Sequence, residues 1–414
     1  MAEKDQERTQ EVYDSERTSP HAYALSEEDG EVFKKTTTGV DFRKVGWFNG
    51  TMIFTKILFA TGVLSLPSAL YALGAVGGSI SIVAWGAFNT YCFVALGIVG
   101  KEVTGLLFII GYVLVTGSGI VGVSNALNAL SHHATCTVWW SFLATTVIIT
   151  TASIRKLEHV GWLSYVGFLS IYIALFIVVV SMTQRNRPAA APQKGPYDLG
   201  YVAINNPGFA GGMVASSTIF ISSAGTSAFL PVISEKRNPK EYNPSLVSAG
   251  QTIKMVSYGV ALVSLIVSGT LYLHVGAKHV FVCILGRTSH LQPNSVIHWG
   301  TWLACTTLLG ALAFTLAESI PIFNYLIALV GSVCFAPLAM NLPGLLWLYD
   351  HAHYRKGSFV QKVVYLLHIG LVLLGIFFFV GATYGVVKQI IDAYATGQIV
   401  IGSVYSCADN SNSF

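Results

Sequence analysis

The sequence predicts an all-helical membrane protein, and the first reason is its composition. Of the 414 residues, 53% are hydrophobic and only 11% are charged, and the mean hydropathy is +0.60. Since an average soluble domain has about 25% charged residues, much of this surface must face lipid. The net charge of +4 is small, and the basic residues lie in short clusters between apolar runs, which argues against a nucleic-acid-binding face.

The second reason is a series of apolar stretches that match the length of a membrane-spanning helix, about 20 residues. They are rich in Gly, Ser, Thr and other small residues, as close helix packing in lipid requires. Strands of a membrane barrel would be shorter and would alternate polar with apolar positions, so a barrel is disfavoured. The ten predicted spans are 47–70, 73–99, 103–127, 137–153, 160–182, 208–233, 252–275, 296–317, 321–349 and 363–387.

Polar segments flank this predicted membrane domain. The N-terminal segment has mixed charge and no apolar run, which predicts a disordered, solvated tail and no cleaved signal peptide. Arg43 and Lys44 lie beside the first span and favour a cytoplasmic N-terminus. The predicted organisation is a cytoplasmic tail at 1–46, a transmembrane domain at 47–387 and a C-terminal tail at 388–414.

Nothing in the sequence predicts an enzyme, a metal site or a cofactor. It contains no HExxH or GxSxG motif and no paired intramembrane Asp residues, so no catalytic residue is predicted. The loop pairs His132–His133 and His351–His353 have no carboxylate or thiol partner close in sequence, so no metal is assigned. The six cysteines are scattered without CxxC spacing, which predicts packing roles for most of them.

Basic residues in the loops give a topology with one conflict. Lys101 and the pair Arg155–Lys156 are cytoplasmic if the N-terminal tail is inside, which agrees with the tendency of basic loops to face the cytosol. The clusters at Lys236 and Lys278, however, are separated by one predicted crossing. They cannot both be cytoplasmic unless a span is missing between them or the seventh predicted span turns back.

Two of the predicted spans are interrupted by glycine and proline. Gly62 and Pro67 follow Ala60 in the first span, and Gly225 and Pro231 repeat the design in the sixth. Either motif alone is typical of simple kinking or packing. The pair indicates a secondary transporter, because two broken helices at mid-membrane offer free N–H groups to a carboxylate and free carbonyls to an ammonium group. The first helix is predicted to unwind between Ala60 and Leu64.

Lys56 is a charged residue inside the first predicted span. Such a residue is costly in hydrocarbon and is by default a functional-site hypothesis, here that of a group near the position of a coupling cation. The alternatives are that the side chain extends to the inner surface or braces the neighbouring half-helix.

Several motifs resemble the amino acid/auxin permease family of the APC superfamily, and most closely its fungal neutral amino acid permeases. The resemblance covers about 47–387, and the stretch TGVLSLP at 61–67 carries it best. Further similar stretches are 101–108, 224–225, 235–239 and 320–325. The resemblance implies a five-plus-five inverted-repeat fold with an eleventh helix, and import of neutral aliphatic and aromatic amino acids by proton symport.

The resemblance also implies which residues bind the substrate. Backbone atoms at the two interruptions would meet the amino acid, with a proton as the coupling ion. The plasma membrane is the predicted location, and the vacuolar membrane is the alternative. The implied binding residues are Ala60, Thr61, Gly62, Val63, Leu64, Ser65, Ser222, Ser223, Ala224, Gly225 and Thr226.

One departure from the family pattern affects the predicted function. Near 242–248 the chain lacks the length for the family's seventh helix, so a fold truncated to about ten transmembrane helices is predicted. The loop charges conflict at the same place. The alternative functions are therefore a transport-incompetent splice form or a non-transporting scaffold or channel, although no repeated filter or charged ring favours a channel.

Overall fold

A computed structural model describes most of the predicted membrane domain as packed helices. Within the residues that it describes there is no strand, so the predicted class, an all-helical membrane protein, is confirmed. The described residues are 46–58, 61–94, 101–131, 133–156, 161–173, 202–223, 258–286, 288–320, 322–396 and 404–408.

Every predicted span overlaps a described helix, and the first span is divided between two. The tenth helix contains two π-helical pieces, Gly331–Phe335 and Pro337–Asn341. The helices are α1 Trp47–Leu58, α2 Thr61–Leu73, α3 Ala75–Val94, α4 Lys101–Ser131, α5 Thr137–Ala152, α6 Gly161–Ile173, α7 Gly208–Ser223, α8 Tyr258–Leu285, α9 Val296–Ser319, α10 Phe323–Asp350 and α11 Phe359–Thr396.

The centre of the bundle is formed by α4 and α8, which pack along each other and are mostly buried. A Cβ added at Gly119 of α4 would lie 3.5 Å from the Cα atom of Gly269 in α8, so the two backbones meet closely. Small residues at helix contacts allow this close approach. In a membrane the packing itself must hold the helices together, because apolar side chains gain little free energy by leaving the lipid. By contrast, α11 lies at the periphery with most of its apolar surface exposed.

The π-helical part of α10 faces α7 at close range. Pro337 has no amide hydrogen and cannot continue the regular hydrogen-bond ladder, and wider π turns surround it. At Gly331 an added Cβ would lie 2.8 Å from the carbonyl oxygen of Ser217 in α7. The Ser217 hydroxyl donates to the carbonyl of Ala328, 2.7 Å away. These contacts fix α7 against α10.

One end of the bundle is marked by a disulfide bond between Cys136 and Cys407. Next to it, the Thr137 hydroxyl donates to the carbonyl of Ala408, 2.6 Å away, and the ring of Tyr405 contacts Phe314. These two cysteines are exceptions to the packing role predicted for most of the six, because residues 271 positions apart meet in the fold. Structural disulfides persist in oxidising compartments, so this disulfide end faces away from the cytosol.

The opposite end of α5 is basic. Lys278 of α8 donates to the carbonyl of Arg155, 3.4 Å away. The Arg155 guanidinium lies 4.0 Å from the ring centroid of Trp299 and donates to Asn294 at 2.8 Å. Lys278 therefore lies on the same side as Arg155, and the disulfide and the loop charges independently make this basic end the cytosolic one.

Helices α7 and α8 run in the same direction, although they follow each other in the chain. Ala210, early in α7, contacts Gly385, late in α11, and Phe220 contacts Phe378, so α7 descends from the disulfide end. Helix α8 also ends at the basic end, beside Arg155. The residues between these two helices, 224–257, lie outside the described residues, and the predicted loss of a helix near 242–248 falls among them.

We expect the disulfide to be accessible only from outside the cytosol. In a variant whose other four cysteines are replaced by alanine, an impermeant maleimide added to intact cells should label Cys136 and Cys407 only after an impermeant reductant. In the Cys136→Ser variant, Cys407 should be labelled without reduction. Labelling of the unreduced pair would contradict this topology, and so would a surface-delivered protein that is labelled only after the cells are permeabilised.

Candidate substrate and coupling site

In the first predicted span, α1 ends at Leu58 and α2 begins at Thr61. Residues 59 and 60, and with them Ala60 of the predicted site, lie outside the described residues. Thr61, Gly62, Val63 and Leu64 form the first turn of α2, so the predicted unwinding from Ala60 to Leu64 is wrong for these four residues. Glycine permits unwinding but does not enforce it.

The predicted chemistry of the first turn of α2 depends on residues 59 and 60, which lie outside the described residues. The first four amide N–H groups of a helix have no partner within it, and the aligned peptide dipoles give this end a partial positive charge. A break at residues 59–60, as the sequence predicts, would give the amides of residues 61–64 this role. Ser65 follows with its side chain fully buried, and its carbonyl accepts a hydrogen bond from the Ser68 hydroxyl at 2.7 Å.

The second interrupted segment lies beside the first. Helix α7 packs along α2 and ends at Ser223, while Ala224, Gly225 and Thr226 lie outside the described residues. The hydroxyl of Ser222, which is half-buried, donates to the carbonyl of Ile219 at 2.6 Å. Among the carbonyls of the last turn, that of Phe220 accepts from Asn89 of α3 at 3.2 Å.

Helices α2 and α7 are antiparallel and join at the disulfide end. The amide of Asn205, just before α7, donates to the carbonyl of Leu73 at the end of α2. A turn at Gly74, whose φ is +83°, makes this contact possible, since an added Cβ would lie 2.8 Å from the carbonyl of Ala203. At 1.5 Å per residue α2 is about 20 Å long and α7 about 24 Å. The N-terminus of α2 and the C-terminus of α7 therefore reach similar depths.

Lys56 lies one turn before this interruption and is completely buried. Its ammonium group donates to both the carbonyl and the hydroxyl of Ser264 in α8, with a distance of 3.1 Å to the carbonyl. A Cβ added at Gly167 of α6 would lie 3.0 Å from the Lys56 Cε atom. Lys56 thus connects α1 to α8, and its side chain packs against Gly167 of α6. The alternative of extension to the inner surface is wrong, and bracing agrees with the contacts.

The partners of Lys56 could not be found from the sequence. Ser264 is 208 positions away and stands in a helix rich in similar small residues. No sequence motif around Gly167 distinguishes it from the other glycines of the predicted spans either. Only packing reveals that these residues surround the ammonium group, which has no carboxylate partner among the residues described. The charge is balanced instead by the dipoles of one hydroxyl and one carbonyl.

Other ionisable groups lie away from the two interruptions. Glu318 at the disulfide end of α9 is buried and is hydrogen-bonded by Ser141. The Nδ1 atoms of three buried histidines contact backbone carbonyls, and these residues are His274, His298 and His368. Across the described ranges, no group of three His, Cys, Asp or Glu side chains is placed to hold a metal ion.

Comparison with known proteins identifies the class of this chain. A transmembrane transporter of Gibberella moniliformis is 41% identical over 436 residues, which cover 93% of this chain and 92% of that protein. The chain belongs to the family of these fungal transmembrane transporters. A second such transporter, from Fusarium pseudograminearum, is 38% identical over 436 residues and covers 93% and 91% of the two chains. The protein is a transporter and not an enzyme.

More distant similarities are weaker. The N amino acid transport system protein of Neurospora crassa is 23% identical over 425 residues, with 89% of each chain covered. No protein-family model matches the transporter. A solved structure of Mhp1, a nucleobase-cation-symport-1 family transporter in a closed conformation with bromovinylhydantoin bound, has a TM-score of 0.44 and 12% identity, covering 93% of this chain and all of that one.

Filling the space at Gly167 should disturb the Lys56 bridge. We expect Gly167→Ala to destabilise the transporter by about 1–3 kcal/mol, because the new methyl group would press on Lys56 and Val267. The matched control is Gly300→Ala in α9, where an added Cβ meets nothing within 4 Å. Thermal unfolding of both purified variants checks the difference. Equal melting temperatures would show that the space between Gly167 and Lys56 accommodates the added methyl group.

Proposed function

We propose that this transporter imports neutral aliphatic and aromatic amino acids by proton symport. The observation that carries the proposal is the antiparallel packing of α2 and α7, which brings the start of α2 and the end of α7, where the interruptions are predicted, to similar depths. The similarity to an amino acid transport system protein supports the substrate class. The motifs that resemble the amino acid/auxin permease family support it as well, and the same resemblance suggests the five-plus-five repeat.

The pairing of helix ends favours a zwitterion over a singly charged substrate. The N-terminus of α2 carries a partial positive charge and suits a carboxylate, while the C-terminus of α7 carries a partial negative charge and suits an ammonium group. An α-amino acid has both groups on one carbon atom. Because the helix ends contribute no net charge, they do not require a charged side chain, which agrees with a neutral amino acid.

In this proposal backbone atoms at the two interruptions hold the substrate. The amides of Thr61 to Leu64 bind the carboxylate, and carbonyls at the end of α7 bind the ammonium group. Ser65 and Ser222 contribute from just beyond each interruption. The full proposed set is Ala60, Thr61, Gly62, Val63, Leu64, Ser65, Ser222, Ser223, Ala224, Gly225 and Thr226.

Lys56 is the proposed coupling residue, because it connects the substrate site to the centre of the bundle. It belongs to α1, which ends just before the interruption, and its ammonium group holds α8 through Ser264. Loss of the proton would remove the charge that the Ser264 carbonyl and hydroxyl stabilise, and would loosen α1 from α8. Protonation at Lys56 would thus be linked to movement of the half-helix that binds substrate.

An uptake assay tests both parts of the proposal. Cells that express the transporter should accumulate labelled neutral amino acids against their gradient, faster at lower external pH, and a protonophore should abolish the accumulation. Vector-transformed cells are the control. A flat pH profile with strict sodium dependence would contradict proton symport. Passive flux would favour the channel, and no flux would favour the scaffold or the transport-incompetent form.

A bulky residue at the first interruption should block substrate binding. We expect Gly62→Val to reduce amino acid uptake at least about tenfold, because a branched side chain in the first turn of α2 would cover amides that bind the carboxylate. Gly370→Val is the matched control, since Gly370 is exposed on α11 with nothing within 4 Å of an added Cβ. Surface biotinylation measures delivery of both variants. Normal uptake by a Gly62→Val protein that reaches the cell surface would contradict the proposed binding site at the first interruption.

A further inference from the structure

Helix α3 holds one residue of α7, Phe220, by two separate contacts. The side-chain amide of Asn89 donates from its Nδ2 atom to the Phe220 carbonyl, 3.2 Å away. The ring of Trp85 packs edge-on against the ring of Phe220, with 5.2 Å between the two centroids. Trp85 and Asn89 are four positions apart, so they share one face of α3. That face therefore fixes both the side chain and the backbone of Phe220.

The last described turn of α7 is held by other helices as well. Phe220 is completely buried, and its ring lies 5.4 Å from that of Phe378 in α11. The rings of Trp85 and Phe378 are 4.9 Å apart, so three rings from α3, α7 and α11 form one cluster. About one turn earlier, the hydroxyl of Ser217 joins α7 to α10 through the carbonyl of Ala328. Three neighbouring helices thus fix the position of this turn.

The carbonyl that Asn89 bonds has a particular place in α7. In a continuous α-helix the Phe220 carbonyl would accept from the amide four positions later, that of Ala224. Ala224 stands directly before Gly225 of the predicted interruption, and both lie outside the described residues. Where a helix breaks in hydrocarbon, side chains of neighbouring helices satisfy the backbone groups that the break frees. Asn89 supplies a donor at the first carbonyl that a break at Ala224 would free.

We propose that Asn89 is a positioning residue for the ammonium end of the substrate site. The inference rests on the amino acid transport proposed above. By holding the Phe220 carbonyl, Asn89 fixes the end of α7 and with it the carbonyls that follow, which point along the helix axis. These later carbonyls bind the ammonium group of the substrate. Asn89 does not touch the substrate and acts only through α7.

The chemistry of the ammonium group explains why its acceptors must be held. An ammonium group has three N–H donors in a fixed geometry, so it needs several acceptors at defined positions. If the end of α7 shifts, at least one of these donors loses its partner in a site that excludes water, which weakens binding. A carboxylate that lacks the amino group does not use these carbonyls. Asn89 should therefore affect the selectivity for a free amino group.

The test compares phenylalanine with hydrocinnamate, which is the same molecule without the amino group. Binding of labelled phenylalanine to the purified full-length transporter gives one dissociation constant, and displacement by hydrocinnamate gives the other. We expect Asn89→Leu to raise the dissociation constant of phenylalanine at least about tenfold, because a hydrogen bond to a charged group contributes at least that factor. The dissociation constant of hydrocinnamate should change less than about twofold, because its carboxylate binds at α2.

Asn341→Leu is the matched control. The side-chain amide of Asn341 also donates to a carbonyl of a neighbouring helix, that of Val372 at 3.2 Å, but it joins α10 to α11. This variant should keep the wild-type ratio of the two dissociation constants. If Asn89→Leu does not fold, Asn89→Ala is measured by the same criteria. Loss of folding in both Asn89 variants would show a structural role and overturn the inference.

The outcomes separate the positioning role from the proposed function. A wild type that does not bind phenylalanine, or that binds both ligands equally, would overturn the proposed substrate site and the role of Asn89 together. If the wild type prefers phenylalanine and the Asn89 variant keeps the same ratio, only the positioning role is overturned. Equal weakening of both ligands, or the same change of ratio in the Asn341 variant, would show a structural role and overturn it as well.

Discussion

Hydrocarbon provides no partners for peptide groups, and this constraint shapes every described element of the transporter. Each N–H and C=O in the membrane must be bonded within a helix, against another helix or by a ligand. Many hydroxyls follow the same rule, such as that of Thr145, which bonds the carbonyl one turn earlier in its own helix. The predicted break beside Gly62 would therefore be exceptional, and in the proposed function the substrate is the partner of the groups it frees.

The buried charges of Lys56 and Lys278 are stabilised by the dipoles of hydroxyl and carbonyl groups. The ammonium of Lys56 lies against the hydroxyl and carbonyl of Ser264, and Lys278 lies against the carbonyl at the end of α5. Neither contact is an ion pair with a carboxylate. Dipoles stabilise a charge less firmly than an opposite charge does, so a proton at such a site can leave when its surroundings change. A stable salt bridge would hold its proton firmly, which suits a static scaffold better than a transporter.

Hydropathy predicted the helices well because lipid imposes a length and a composition on each one, as in α4 and α11. The sequence also predicts two interruptions, since Gly62 and Gly225 are local features, but residues 59–60 and 224–226 lie outside the described residues, so both stay predictions. It could not give contacts between distant residues, such as Lys56 with Ser264 or Cys136 with Cys407, because nothing in either neighbourhood encodes the partner. The predicted unwinding of Thr61 to Leu64 was wrong, since these residues are helical and glycine permits unwinding without enforcing it.

The bond between Cys136 and Cys407 joins residues that lie 271 positions apart in the chain. Ribosomal synthesis delivers Cys136 well before Cys407, so the first thiol must wait until the second has been made and has reached the same side of the membrane. The covalent link can therefore form only after the helices between the two cysteines have been inserted.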